Sequence, residues 1–194
     1  SDKNTDPNYD VLAVYMDHGP DTGIYVTDEV SIRVLARAYN YSIPPTELDH
    51  VIDMLKDNAP RVMVNTNRDL VAVNNGIFDY KSKKLLPFTP EIVFTAKSAI
   101  DYKDNPVNPV IHNDADGTDW DIESWMDDLN DDPEIVNLLW EIMSAIIRPN
   151  VAWDKTAWFL SEVGNNGKGT LLTLMRNLCG ERAWTSISVA DFGK

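Results

Sequence analysis

The stretch SEVGNNGKGTLL (residues 161–172) decides how the C-terminal part of the chain is read. An apolar run, TAWFL (156–160), precedes it, and GKGTLLTLMRNLCG (167–180) follows with the spacing of a helix that opens at Gly167 or Lys168 and ends near Gly180. Strand, glycine-bearing turn, lysine and helix form the order in which a phosphate-binding loop is built. The chemistry dictates the residue types. Backbone N–H groups at a helix N-terminus point at an anion, and the helix dipole favours it there. Glycines let the backbone come close, a lysine reaches the outer phosphates, and a hydroxyl beside it ligates magnesium. Two positions depart from G-x-x-x-x-G-K-[ST]. Counted back from Gly167, the first glycine falls on Glu162, and the position after Lys168 is Gly169, with Thr170 one place later. A carboxylate at 162 opposes a triphosphate unless it points away, and Gly169 has no hydroxyl for Mg²⁺. The competing reading is a strand–turn–helix in which Asn165, Asn166 and Gly167 only make a tight turn.

Working outward, the bulk numbers narrow the function classes. The 194 residues suit one or two compact domains. Acidic residues outnumber basic ones 31 to 17, and the formal net charge is −14. Binding nucleic acid over a broad face needs cations set against phosphates, so any such contact is expected to be local or made in an assembly. The same charge opposes docking on an anionic membrane. One cysteine, Cys179, excludes an internal disulfide and a cysteine-based zinc site, and its apolar surroundings predict a buried thiol. Neither a signal peptide nor an apolar run of membrane-spanning length is found, which points to a reducing cytoplasm.

The rest of the chain alternates small strands and helices. SDKNTDPN (1–8) is polar and reads as loose. VLAVYM (11–16) and GIYV (23–26) flank a Gly/Pro turn as strands. TDEVSIRVLARAYNYS (27–42) has a helical stripe at Val30, Val34, Leu35, Ala38 and Tyr41, with Thr27 or Asp28 as cap. PPTELDHVIDMLKDNAP (44–60) is a second helix with Pro45 in its first turn, Thr46 as cap, and a stripe of Leu48, Val51, Ile52 and Leu55. A strand-rich stretch (61–102) follows, in which GIFDY and KLLPF flank a KSK turn. Residues 103–119 are rich in Pro, Asn and Asp and read as a connector. DWDIESWMDDL and DPEIVNLLWEIMSAIIRP are helices. The first carries Trp120, Ile122, Trp125, Met126 and Leu129. The second carries Ile135, Leu138, Leu139, Ile142, Met143 and Ile146, with Asp131 or Asp132 as cap.

Other constellations carry less. His112, Asp114, Asp116, Gly117 and Glu123 approach the spacing of a calcium loop, but the first ligand is a histidine and no entering helix is evident. A solvated acidic connector is the plainer reading. Asp114-x-Asp116 resembles a primase metal pair without the third acid. KSKK (81–84) is the one basic cluster; lysines at a hairpin tip either meet a DNA phosphate or solvate an edge. His18, His50 and His112 lie far apart and suggest no nucleophilic catalysis. Trp120, Trp125, Trp140, Trp153 and Trp158 are read as packing residues rather than stacking platforms, because few basic neighbours accompany them.

The order VNNGIFDYKSKKLLPFTPE (73–91), DWDIESWMDDL, DPEIVNLLWEIMSAII, TAWFLSEVGNNGKGTLL resembles phage and plasmid DNA primase-helicases of the poxvirus D-five type over roughly residues 65–180. The K-G-T form of the loop is similar to a variant used in that family, whereas Glu162 departs from it. The resemblance implies an α+β fold, in which a mixed helical and small-sheet helicase-associated domain (1–150, with 9–60 as a candidate sub-unit) precedes the truncated start of a P-loop α/β ATPase domain of superfamily III (151–194). It implies ATP and Mg²⁺ as cofactors, DNA as partner through the parent assembly, a homo-oligomeric ring (a hexamer) and an upstream primase module. Carried onto this chain, Gly164, Asn165, Asn166 and Gly167 wrap the phosphates by backbone and Lys168 holds the β- and γ-phosphates. Gly169 and Thr170 complete the binding stretch, with Thr170 nearest Mg²⁺. Only 24 residues follow Thr170, too few for the acidic strand, sensor and neighbouring arginine of a ring motor. No catalytic residue is therefore assigned, and the chain is expected to be an inactive piece that couples an upstream module to the motor. Two rivals remain: a small nucleotide-binding protein complete as it stands, and a non-enzymatic adaptor of winged-helix type that binds protein or DNA.

Overall fold

The computed structural model describes residues 10–191. The polar stretch 1–8 lies outside the described residues. The fold is α+β, built from small antiparallel sheets and five helices among the described residues. It divides into two compact units, one running to Asn65 and taking in Phe88–Ala96, the other holding Thr66–Pro87 and everything from Lys97 onward.

In the first unit, β1 (Val14–Tyr15) pairs antiparallel with β2 (Tyr25–Val26). Gly23, with φ 89°, lies against Phe88: a Cβ there would fall 2.2 Å from the ring, so only glycine fits. Helix α1 (Glu29–Tyr39) starts at Asp28, whose carboxylate accepts from the Ser31 N–H at 2.8 Å. The predicted α1 stripe is on the wrong face. Ile32 is the buried residue, and Val30 and Val34 are exposed at 73% and 62%. A stripe chosen by spacing alone does not say which side meets the core. Helix α2 (Pro45–Asn58) begins one residue before the expected cap. Pro44 holds extended backbone and Pro45 fixes a helical φ at the first position, so Thr46 is already inside the helix. Leu48 and Ile52 are buried, whereas Val51 and Leu55 are exposed. Arg33 joins the two helices by reaching Glu29 at 2.7 Å and Asp49 at 2.6 Å. The segment 88–96 is stitched in by backbone bonds from Asn65 to Val93 and from Tyr25 to Phe94.

In the second unit, β3 (Leu70–Val73), β4 (Gly76–Asp79) and β5 (Lys84–Leu86) form an antiparallel meander. The hairpin expected around KSK is present, with Asp79 opposite Lys84. The Asn74-Asn75 turn is pinned by residues 100–102, through Asn74 to Asp101 at 2.8 Å and a reciprocal pair between Asn75 and the Tyr102 backbone. Where the sequence predicts only a connector, the chain forms a second hairpin, β6 (Ile111–Asn113) with β7 (Thr118–Trp120). Its turn is made by local side-chain bonds: Asn113 accepts from the Ala115 N–H, Asp116 accepts from the Thr118 N–H and hydroxyl, and Gly117 takes φ 72°. Trp120 therefore belongs to a strand, and α3 (Ile122–Asp127) starts after Asp121, which forms a capping box with Ser124.

Helices α4 (Pro133–Ile146, capped by Asp132) and α5 (Lys168–Cys179) pack with α3 around Met126, Val136, Leu139, Met143, Leu171 and Met175. Trp125 and Trp140 lie against this cluster as packing residues. Trp120, Trp153 and Trp158 do not; they are exposed at 42%, 47% and 72%. Ile135 and Leu138 of the predicted α4 stripe are also on the outside. TAWFL forms no strand among the described residues. A strand exists only where a neighbour completes its ladder of hydrogen bonds, and none runs beside it.

Candidate nucleotide-binding loop

The turn between TAWFL and α5 is shaped by two left-handed residues, Asn165 (φ 58°) and Gly167 (φ 80°). Asparagine tolerates this conformation better than most residues, and glycine adopts it at no steric cost. Gly167 has a second reason to be glycine, since a Cβ would meet Leu129 Cδ2 at 2.5 Å. Ser161 and Asn166 close the turn from within. The Asn166 amide donates to the Ser161 hydroxyl and, at 3.1 Å, to the Val163 carbonyl; the Ser161 hydroxyl bonds the Val163 carbonyl at 2.9 Å.

Helix α5 follows with Gly167 as N-cap and no side chain capping it. Its first intrahelical bond runs from the Leu171 N–H to the Gly167 carbonyl. The N–H groups of Lys168, Gly169 and Thr170 thus have no partner within the helix. They form the positive end of its dipole. Gly164 and Gly169 face open space, with nothing within 4 Å of where a Cβ would stand. The Lys168 ammonium folds back onto the Asn166 side-chain oxygen at 2.6 Å and is part-buried there. Thr170 and Glu162 are exposed. The structure thus brings Asn165, Asn166, Gly167 and Lys168 together in one turn, with Gly169 and Thr170 on the first turn of the helix and Gly164 at the entrance. Alongside lies a cleft of about 690 Å³ between α4 and the TAWFL segment, with Trp158, Val163, Asn166 and Lys168 on one side and Ile135 and Leu138 on the other.

The remaining candidates lie elsewhere. Cys179 is half-buried, with Sγ 3.9 Å from the Ile146 carbonyl, and burial pushes its thiol pKa up, the opposite of what a nucleophile needs. His112 bonds Asp119 across the β6–β7 hairpin at 2.6 Å, while Asp116 is engaged by Thr118, whose hydroxyl and N–H hold its carboxyl below the usual range. Among the described residues no group of three or more His, Cys, Asp or Glu side chains stands together as a metal site. None of the described helices is long and apolar enough to cross a membrane. Arg148, which no sequence motif marks, bonds the Arg68 carbonyl and lies over the ring of Tyr80, the residue ahead of KSKK.

A comparison with curated proteins gives no match. A comparison with family models matches residues 35–131 to the family described as D5 N terminal like. The match runs from within α1 to just ahead of α4, half of the chain, and leaves the loop and α5 outside it. By that match the chain belongs to the D5 N-terminal-like family, the N-terminal region of D5-type primase-helicases.

Proposed function

We propose that residues 161–170 and the start of α5 are the phosphate-binding corner of an ATP-driven DNA helicase motor of superfamily III type. Residues 151–194 would then be the start of its P-loop domain, α5 being its first helix and TAWFL a segment that becomes a strand only beside a neighbouring one. Residues 1–150, which hold the D5 N-terminal-like match, would couple that motor to an upstream primase module and help assemble a homo-oligomeric, hexameric ring. One observation carries the reading: a helix that no side chain caps, entered through two left-handed residues, with a lysine at its first position. Backbone donors with no partner in the helix, a nearby ammonium and open space beside Gly164 and Gly169 suit a di- or triphosphate. Lys168 would hold the outer phosphates, the backbone of Gly164 to Gly169 would wrap them, and the Thr170 hydroxyl, directly or through water, would approach Mg²⁺. ATP with Mg²⁺ supplies the phosphoanhydride whose cleavage drives such motors.

Calorimetric titration of ATP and of ADP, with Mg²⁺, into the chain and into Lys168→Ala tests this. Binding that weakens at least about tenfold in the variant is expected, the scale of a lost charged phosphate contact. Absence of binding to the unaltered chain overturns it. Hydrolysis further needs Mg²⁺-holding acids, a sensor and a neighbour's arginine, to which no residue here is assigned. Steady-state turnover abolished by Lys168→Ala would contradict the expected inactivity.

The adaptor reading has one observation behind it. Lys168 already has a partner in Asn166, so the turn satisfies its own lysine as a plain strand–turn–helix would. Titration decides between them, because an adaptor leaves nucleotide unbound.

A further inference from the structure

The turn between β4 and β5 carries Lys81 and Lys83, and β5 opens on Lys84, in a chain of net charge −14. It is a constructed turn. The Asp79 carboxylate accepts from the Ser82 hydroxyl at 2.7 Å and from the Lys81 N–H at 2.9 Å, and the Lys83 N–H donates to the Asp79 carbonyl at 2.8 Å. Lys83 sits at φ 58°, where a residue with a Cβ is disfavoured and glycine or asparagine is usual. The turn's own hydrogen bonds hold the backbone there, and they leave the Lys83 side chain exposed.

That side chain reaches Tyr80, with the ammonium 5.0 Å from the ring centroid. Arg148, just beyond the end of α4, places its guanidinium carbon 4.2 Å from the same centroid. It is steadied there by the Arg68 carbonyl at 3.2 Å and Asp69 at 3.8 Å. One ring thus gathers two cations supplied by separate elements. Phe78 continues the row, edge-on to Tyr80 at 5.0 Å and stacked on Tyr102 at 4.4 Å. No carboxylate makes a close ion pair with Lys81, Lys83 or Lys84 among the described residues, and Asp79 acts on Lys81 only at longer range. The four cations outnumber the carboxylates at hand, Asp69 beside Arg148 and Asp79 within the turn, and an anion placed among them relieves the remaining repulsion.

We propose that the β4–β5 turn, with Tyr80 and Arg148, is a contact site for the backbone of single-stranded nucleic acid. Lys81, Lys83, Lys84 and Arg148 meet successive phosphates, and the half-buried Tyr80 ring, braced by Phe78, holds Lys83 and Arg148 together. A flexible strand can bring successive phosphates to cations set this close together, and for a chain of the D5 N-terminal-like family nucleic acid, rather than an acidic peptide, is the polyanion at hand. The strong negative charge of the rest of the chain confines the strand to this patch. The site is independent of the loop at Lys168 and needs no nucleotide.

Fluorescence anisotropy of a labelled oligothymidylate, titrated with the whole chain, tests it. Binding is expected at about 50 mM salt. The logarithm of the affinity should fall against the logarithm of salt concentration with a slope of about −2 to −3, for three or four phosphates on a single strand. The combined variant Lys81→Ala, Lys83→Ala and Lys84→Ala removes only exposed side chains and is expected to keep the far-UV dichroism of the parent. It should lose affinity about tenfold or more and flatten the slope. Arginine at the same three positions should preserve both. Equal affinity of the parent and the alanine variant, or no binding by the parent at about 50 mM salt, overturns the proposal. Displacement of the oligothymidylate by polyglutamate or by duplex DNA at equal charge concentration also overturns it, by assigning the patch to acidic protein or to duplex phosphates.

Discussion

Two glycines two residues apart, Gly167 and Gly169, sit in the same motif for different physical reasons. Gly167 holds φ 80° with Leu129 Cδ2 across from it, whereas Gly169 is inside the first helical turn with open space before it. Gly167→Ala forces a Cβ into the left-handed region, a cost of about 1–2 kcal/mol. Leu129 meets it with the end of a flexible side chain and can give way, so most of the loss is backbone. Gly169→Ala has no steric cost and raises helix propensity, a gain of up to about 1 kcal/mol. Denaturant melts of the two variants should shift in opposite directions. If both destabilise, then the first turn of α5 is more crowded than these distances say. The motif's residue types foretold a tight turn and a helix start. They did not foretell that Lys168 is occupied by Asn166, because a side-chain partner two residues away depends on the exact turn.

The elements here are small, and local carboxylates hold many of their ends. Asp121 caps α3 through the Ser124 N–H, Asp79 ties the β4–β5 turn chiefly through the Ser82 hydroxyl, and Asp116 ties the β6–β7 turn chiefly through the Thr118 hydroxyl. Each bond favours the charged form, so each folded-state pKa lies below the ordinary aspartate value. A depressed pKa contributes stability that is complete above the unfolded value, near 3.9, and is lost as pH falls through the folded one. Thermal midpoints should therefore hold steady from neutrality to about pH 5 and decline below about pH 4. Asp121→Asn keeps a capping oxygen without a titrating proton and should make that decline shallower; an unchanged acid limb would remove Asp121 from the account. At this scale the helices were readable in outline: α2 through α5 begin within a residue or two of where proline, aspartate and glycine signals place them. The β6–β7 hairpin was not, since Asn, Asp and Gly mark a turn as readily as a connector, and only pairing of Ile111 with Trp120 makes it a hairpin. The face of α1 also escaped, because spacing defines a stripe but not what it meets, whereas the α4 stripe holds at Leu139, Ile142, Met143 and Ile146 and misses only at Ile135 and Leu138.

Across the whole molecule, the strand turn, helix and helix of residues 73–146 stand in the order the sequence shows, while TAWFL does not behave as its composition suggests. An apolar pentapeptide reads as a strand, but a strand is a relation between two segments, and a one-dimensional reading supplies only one of them. What remains is an apolar strip on the outside, with Trp158, Leu160 and Val163 exposed at 72%, 85% and 71%. Side chains that exposed contribute little burial to the folded chain. The double variant Trp158→Ser and Leu160→Ser should therefore change unfolding free energy by no more than about 0.5 kcal/mol, the range of ordinary surface substitutions. It should at the same time lower the binding of a hydrophobic dye such as ANS, which reports exposed apolar surface. A loss above about 2 kcal/mol, the scale of removing buried apolar side chains, would mean that the strip is packed in solution. Unchanged stability with unchanged dye binding would place the accessible apolar surface elsewhere, on Val30 and Val34 of α1 or on Met54 of α2. Stability held with dye binding reduced would identify residues 156–163 as a surface open to a neighbouring strand, the condition the P-loop reading of this segment requires.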